Sequence, residues 1–434
     1  MASQYMDRRQ NPVSERPIAE TESDMTAIAS AFGEPWLNRA DDHPIQRLWA
    51  RRDFLATVEL LTLGGAISQL QPLFPGWVKE KVRLIKGGKA DRRGAVLELL
   101  ALHFIRSGGQ PARPTPRNFP GYDITTEIGG GSLDISLKNF GASEHEAAAR
   151  RQWERLHTAY LNARQGSIQR ATGLFIAANR YPSDDDWKQL TAGLSELVRV
   201  PVGAHGHSVE GGCWKITQHL LPPDLGPYHE GSLSYQLVTA VPHHRNEHAN
   251  LISYLEKASS NARKHARANE QVARTLFVRL REAASLVLYQ QWAQTYMAEN
   301  SDGPLDAVFF YQPAVVQTQE DKTQVHHALA AVFGQTFVRW QDGRDDRRLS
   351  VEVPIGSTGP TSHTELRAGN TRIPLGAHYV FQRGSYYSLH IGAEASLRAP
   401  APGIHQHAIL RLPDGGEIVL EGIFPPSGDL MLFD

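Results

Sequence analysis

Cysteine is almost missing: the chain of 434 residues has one, Cys213. A single thiol excludes an intrachain disulfide framework and a thiolate zinc cluster, and it fits a reducing, cytoplasmic setting. Long apolar runs are missing too. No stretch approaches the roughly 18 residues of a spanning helix, so no membrane partner is expected. The opening residues, MASQYMDRRQNPVSERPIAETESD, have no apolar signal-peptide core, and 1–35 reads as a disordered lead-in. Net charge is absent as well, because 45 Lys plus Arg face 46 Asp plus Glu. That balance neither demands nor forbids a nucleic acid; the position of the charges decides. There is no GxxxxGK[ST], no GxGxxG between a strand and a helix, no GxSxG and no HExxH. Among the local histidine clusters (His243-His244 with His248, His326-His327, His405 with His407) only His244 and His248 have i, i+4 spacing, which argues against zinc.

What is present suits a folded α/β chain of two or three domains. Residues 36–90 read as a helical N-terminal segment punctuated by Pro75-Gly76. The clearest helix is DRRGAVLELLALHFIR, 91–106, closed by Gly108-Gly109. A Pro-rich connector leads to two period-2 segments, YDITTEI and SLDISLK, joined by glycines. A helix follows over 144–164, with Ser143 and Glu146 spaced as a capping box. Then come the strand TGLFIAAN, a loop-rich region to about 230, and strands alternating with helices to about 320. The expectation is a mixed sheet flanked by helices over 91–320. Beyond it, LSVEVPI, HYVFQRGSYYSLHI and a hairpin about Asp414-Gly415-Gly416 suggest a β-rich C-terminal domain over 325–434.

Glu98 breaks the pattern of its helix. Its i±3 and i±4 neighbours are Gly94, Ala95, Ala101 and Leu102, and a carboxylate on such a face needs an ionic partner or a ligand. In the two strands, Ile124 and Ile128 oppose Asp123, Thr125 and Glu127; Leu133, Ile135 and Leu137 oppose Ser132, Asp134, Ser136 and Lys138. Keeping both apolar sets on one core leaves two registers. A Gly130-Gly131 loop sets Asp123 opposite Lys138, whereas a Gly129-Gly130 loop sets Asp123 opposite Ser136 and Thr125 opposite Asp134. In either, one face gathers Asp123, Asp134 and Lys138. Carboxylates, a lysine and a helical glutamate suit Mg²⁺-dependent phosphodiester hydrolysis: hard oxygens hold the cation and the lysine orients water or offsets transition-state charge.

At these residues the sequence resembles the PD-(D/E)XK, or restriction-endonuclease-like, nuclease superfamily. Glu98 in GAVLELLALHFIRSGG corresponds to its helical acid, Asp123 in PGYDI to its strand Asp, and Lys138 in DISLKNFG to its lysine. Ser136 stands where the family has an acid; Asp134, two residues earlier on the same face, could serve as a relocated carboxylate. The helix-then-strand order after Lys138 matches the family's αβ core.

The resemblance implies a DNA endonuclease using Mg²⁺ or Mn²⁺, of the kind found in microbial defence and mobile elements. Glu98, Asp123 and Asp134 would hold metal, and Lys138 would assist the attacking water. Between Lys79 and Arg117 lie ten basic residues and three acidic ones. Arg92, Arg93, Gln152, Arg155, Lys257 and Lys264 are the candidate nucleic-acid contacts, with Tyr160 and His265 as neighbours; a second basic run includes Arg263, Arg267, Arg274, Arg279 and Arg281. A homodimer or a partner subunit is compatible with this layout. Ser136 motivates a rival reading, a catalytically inactive nuclease-like module that binds nucleic acid or assembles with others.

Overall fold

The structure is a computed structural model that describes residues 17–39, 41–51, 54–116, 121–164, 172–200, 207–220, 235–264, 272–317, 323–341, 349–359, 365–368, 371–374, 377–383, 387–389, 395–397, 407–411, 417–421 and 431–433. Helices lead: α1 (Ile18–Phe32), α2 (Glu34–Leu37), α3 (Pro44–Ala50), α4 (Phe54–Leu70), α5 (Pro75–Ile85) and α6 (Lys89–Ser107). There follow β1 (Arg113–Pro114), β2 (Ile124–Ile128), β3 (Gly131–Asn139), α7 (Glu144–Arg164), β4 (Thr172–Ala178), α8 (Asp184–Arg199), β5 (His207–Gly211), β6 (Trp214–Leu220) and β7 (Tyr235–Pro242). Next are α9 (Asn246–Lys264), β8 (Val272–Arg279), α10 (Leu286–Glu299), β9 (Ala307–Gln317), β10 (Thr323–Phe333) and α11 (Gln335–Gln341). Short strands close the chain: β11 (Ser357–Gly359), β12 (Glu365–Ala368), β13 (Thr371–Pro374), β14 (His378–Arg383), β15 (Tyr387–Leu389), β16 (Ala395–Leu397), β17 (His407–Arg411) and β18 (Glu417–Glu421).

The architecture is α/β with mixed sheets flanked by helices. Among the described residues the larger sheet has eleven strands, in the order β1-β2-β3-β8-β9-β15-β16-β12-β13, with β10 paired to β9 and β11 to β10. The second has the order β14-β7-β4-β6-β5. β3 lies between antiparallel β2 and parallel β8. Its Leu133, Ile135 and Leu137 enter a core shared with α4 and α6, while Leu276 and Val278 of β8 serve a second core with α9 and α10. Gly129 and Gly130, at φ 53° and 70°, make a two-residue turn of the type that suits strand twist. Thr125 therefore faces Asp134, the second of the two registers the alternation allows.

Several expectations change. Residues 18–32 of the supposed disordered lead-in form α1, whose Met25, Ile28 and Phe32 are almost fully buried. The local sequence is too polar to suggest this; the apolar α4 supplies the missing surface. The two helices touch backbone to backbone, since a Cβ on Gly64 would lie 2.4 Å from the Asp24 carbonyl oxygen. The region taken as loops holds α8, whose N-cap Ser183 and Asp186 form a capping box, and the β5–β6 hairpin.

LSVEVPI is not a strand. The Glu352 N–H instead donates to the Phe104 carbonyl at 3.0 Å, which also accepts the Gly108 N–H at 3.1 Å, so the segment is tied to the end of α6. Nor do the C-terminal strands form a separate β-rich unit. β10 and β15 extend the large sheet through β9, β14 joins the smaller one through β7, and α11 lies between them in sequence. Among the described residues, only β17 and β18 pair solely with each other; the turn at Asp414 to Gly416 lies outside them.

A buried carboxylate ties the layers together. Glu247, in the first turn of α9, accepts the hydroxyls of Ser143, Tyr379 and Tyr289, the last at 3.1 Å. It thus links the start of α7, α10 and β14. Ser143 also accepts the Glu146 N–H at 3.0 Å, half of the expected capping box. The Glu146 carboxylate turns instead toward Arg281 and Arg150. No helix among the described residues is long and apolar enough to cross a membrane.

Two glycine substitutions separate backbone contact from turn strain. Gly64→Ala should cost about 2–3 kcal/mol by overpacking α1 on α4, despite the roughly 1 kcal/mol alanine gains within a helix. Gly130→Ala has open space around it and should cost about 1 kcal/mol for its left-handed backbone. Urea midpoints in the reverse order would refute the close crossing.

Candidate active site

Consecutive helices each carry one misplaced charge. On α5 the buried positions are Val78, Lys81, Val82 and Ile85; on α6, Glu98 falls among Ala95, Leu99, Ala101 and Leu102, all buried. The structure resolves both anomalies at once, because the Lys81 ammonium contacts the Glu98 carboxylate. Burial raises the Glu98 pKa, Lys81 pulls it down, and the charge of Asp123 pushes it up again. Glu98 and Asp123 therefore lie within electrostatic reach of each other. Lys81 was counted in the sequence only as part of a basic run. The signal that could have found it is a lysine in one apolar stripe followed by a glutamate in the next.

Asp123 is positioned by the sheet edge. Its own N–H donates to the Ile135 carbonyl at 2.9 Å, and its Oδ2 accepts the Leu137 N–H at 2.6 Å. The side chain thus takes the place of a backbone partner just before β2 begins, and it is fixed against the far half of β3. Lys138, the next residue, is half-buried; its backbone belongs to the β3–β8 ladder, and its ammonium forms no hydrogen bond or ion pair among the described residues. Arg93 also comes to this end of β3, its carbonyl 3.5 Å from the Asn139 amide nitrogen.

Asp134 does not join Glu98 and Asp123. It is 1% exposed, and its Oδ1 accepts the Thr125 hydroxyl at 2.8 Å. Its register partner is Arg274, and the charges of Arg274, Asp134 and Asp306 all act on Tyr122. Asp306 accepts the Arg274 N–H at 2.6 Å, and burial pushes its carboxyl up to about 6. Arg274 therefore belongs to this sheet-face cluster and not to a solvated helix. Tyr122 and Asp306 are residues the sequence did not suggest, since only the β3–β8 pairing brings them to Asp134.

The described residues contain no group of three His, Cys, Asp or Glu side chains arranged to hold a metal ion. The trio Glu98, Asp123 and Asp134 is not assembled as one cage. Mg²⁺ commonly needs only one or two carboxylates, with water and substrate phosphate completing its shell. Glu98 and Asp123 are two carboxylates within electrostatic reach of each other, and Asp134 lies in the neighbouring cluster.

The candidate nucleic-acid contacts divide. Arg92 is buried, its charge acting on His43 of the N-terminal helices, so it faces inward. Gln152 donates to Asp184 at 2.9 Å and accepts from Arg155 at 3.3 Å on the surface between α7 and α8. Tyr160 is a core residue. Lys257 and Lys264 are exposed on α9, with Lys257 over the Tyr254 ring; His265 lies outside the described residues. Arg279 is buried with its guanidinium 4.3 Å from the Phe433 ring centroid.

The family-like order after Lys138 is also modified. The strand following α7 is β4, which belongs to the other sheet, whereas β8, after α9, is the parallel neighbour of β3. Histidines serve the core: His327 bridges the Tyr311 hydroxyl and the Ile355 carbonyl at 2.8 and 3.0 Å, and burial pushes it down to about 4. The buried Cys213 thiol is pushed up to about 11, which argues against a thiolate nucleophile.

Two substitutions probe these electrostatics. Lys81→Met leaves Glu98 buried without its counter-charge, so it should destabilise by on the order of 2 kcal/mol and more at pH 8 than at pH 5. Equal losses at both pH values would contradict the pairing. For Asp306, the folded pKa of about 6 exceeds the ordinary 3.8. Its contribution is therefore full below the unfolded value and is lost as pH rises through 6. Relative to Asp306→Asn, the wild type should lose about 2 kcal/mol between pH 4 and 7. A flat difference in urea-derived stability would overturn the assignment.

Compared with protein families, curated proteins and solved structures, the chain matches none.

Proposed function

We propose that the chain is a divalent-metal-dependent nuclease of restriction-endonuclease-like type, hydrolysing DNA phosphodiester bonds. One observation carries the reading: a half-buried helical carboxylate, Glu98, feels the charge of a strand-end carboxylate, Asp123, as well as that of Glu80 on α5, and the Leu137 N–H pins Asp123 beside Lys138. Structural ion pairs do not need a second carboxylate brought toward the first, because the two repel. A phosphodiester hydrolase does need such a pair.

Glu98 and Asp123 would hold the cation, and bound Mg²⁺ or Mn²⁺ supplies Lewis-acid polarisation of phosphate and a more acidic water. Lys138, whose ammonium has no partner among the described residues, would orient the attacking water and offset charge developing on phosphate. Lys81 offsets part of the rise in the Glu98 pKa that burial causes. Asp134, held by Thr125, would steady the β2–β3 face and is the carboxylate nearest in sequence to the position that Ser136 vacates. Attack by water leaves no covalent enzyme intermediate.

The second reading is an inactive nuclease-like module that binds nucleic acid or joins an assembly. It is favoured by Ser136 at the acid position and by the internal satisfaction of Asp134 and Glu98.

Plasmid cleavage in Mg²⁺, Mn²⁺ or EDTA separates the two. The enzyme should nick or linearise DNA only with metal. Asp123→Asn, whose amide oxygen can still accept the Leu137 N–H, should abolish the activity without lowering the melting temperature; Glu98→Gln should abolish it too, at a cost in stability because Lys81 loses its counter-charge. Lys138→Met should slow cleavage by about 10²-fold or more. Salt-sensitive DNA binding without cleavage would select the inactive module.

A further inference from the structure

The outer face of α5 carries charge that the site does not use. Lys79, Arg83 and Lys86 recur at i, i+4 and i+7, which at about 100° per residue keeps them within a stripe some 60° wide. They line a groove of about 570 Å³ between α5 and α1, with Ala31, Gly76 and Val82 beneath and Glu80 as the lone carboxylate. Lys79 and Arg83 are exposed and form no ion pair among the described residues. The Lys86 ammonium rests over the Trp36 and Phe32 rings at 5.3 and 5.8 Å, and both burial and the charge of Arg39 act against its protonation.

An ordinary solvated helix face mixes signs and is convex. Here three cations and a single carboxylate, Glu80, line a concavity, so the balance is positive and the shape focuses the field. The stripe spans about 10.5 Å along the helix, and one strand of a duplex presents a phosphate about every 3.4 Å of axis. Three cations can thus meet two or three consecutive phosphates. Lys81, the partner of Glu98, is on the opposite side of α5, so the groove is about one helix thickness, roughly 10–12 Å, from the candidate site.

We propose that this α5–α1 groove binds the sugar-phosphate backbone of DNA flanking the position to be cut. The inference rests on the nuclease reading and names where its substrate is held. The groove acts in binding and not on the reacting phosphate, so its loss raises KM and leaves kcat unchanged.

The test uses the full chain and a labelled DNA duplex, with binding read by fluorescence anisotropy in EDTA between about 50 and 200 mM salt. The triple variant Lys79→Gln, Arg83→Gln, Lys86→Gln should bind about 10- to 100-fold more weakly at the low-salt end. Its slope of log affinity against log salt should fall by about 2–3. Glu98→Gln should leave that slope unchanged. If the triple variant melts at lower temperature than wild type, Arg83→Glu alone replaces it and should still lower the affinity. Wild-type binding and cleavage with an unchanged slope in the variant would overturn the groove alone. Absence of DNA binding by the wild type would overturn the nuclease reading and the groove with it.

Discussion

The pairing of β3 governs the molecule. It is bonded along nearly its whole length to β8 on one side and, over Gly131–Ile135, to β2 on the other, and strand side chains alternate strictly. A slip of one residue would drive Asp134, Ser136 and Lys138 into the core of α4 and α6 and expose Leu133, Ile135 and Leu137. Gly129 and Gly130 prevent the slip by closing the hairpin in two residues. The same register ends β2 two residues before the position opposite Leu137, and the Asp123 carboxylate accepts the N–H left there. The candidate site is thus a consequence of where a ladder stops.

Around that stop, burial and charge work against each other. Glu98 is raised by burial and by Asp123, and Lys81 restrains it. A site that gathers like charges stores repulsion, which a cation or a substrate phosphate with its metal can relieve. The cluster of Asp134, Arg274, Tyr122 and Asp306 has a different balance, with one arginine between two carboxylates. The two clusters share β3 but have separate partners.

A long insertion separates β3 from its parallel neighbour β8. It builds its own sheet about β4 and β7, and Glu247 fastens it back by accepting hydroxyls from α7, α10 and β14. Three hydroxyl donors satisfy a carboxylate that would otherwise be costly to bury. This hub was invisible in the sequence because Ser143, Glu247, Tyr289 and Tyr379 are scattered over more than 200 positions. The missed α8 is a different case: its Ser183 and Asp186 had capping spacing, and the turn residues around them obscured it.

Local periodicity determined the elements from α3 to β9 apart from β1, α8 and the β5–β6 hairpin, and it limited the β2–β3 hairpin to two registers. Those features depend on neighbours a few residues apart, where alternation and the helical repeat are strong. Tertiary structure decided the rest. It made a helix of the polar stretch 18–32 by placing α4 beneath it, distributed the C-terminal strands between two sheets, turned Arg92 inward, and gave Glu98 to Lys81 while leaving Asp134 to a separate cluster. Each of these choices depends on burying surface against a segment distant in sequence, and no local pattern records which distant segment that is.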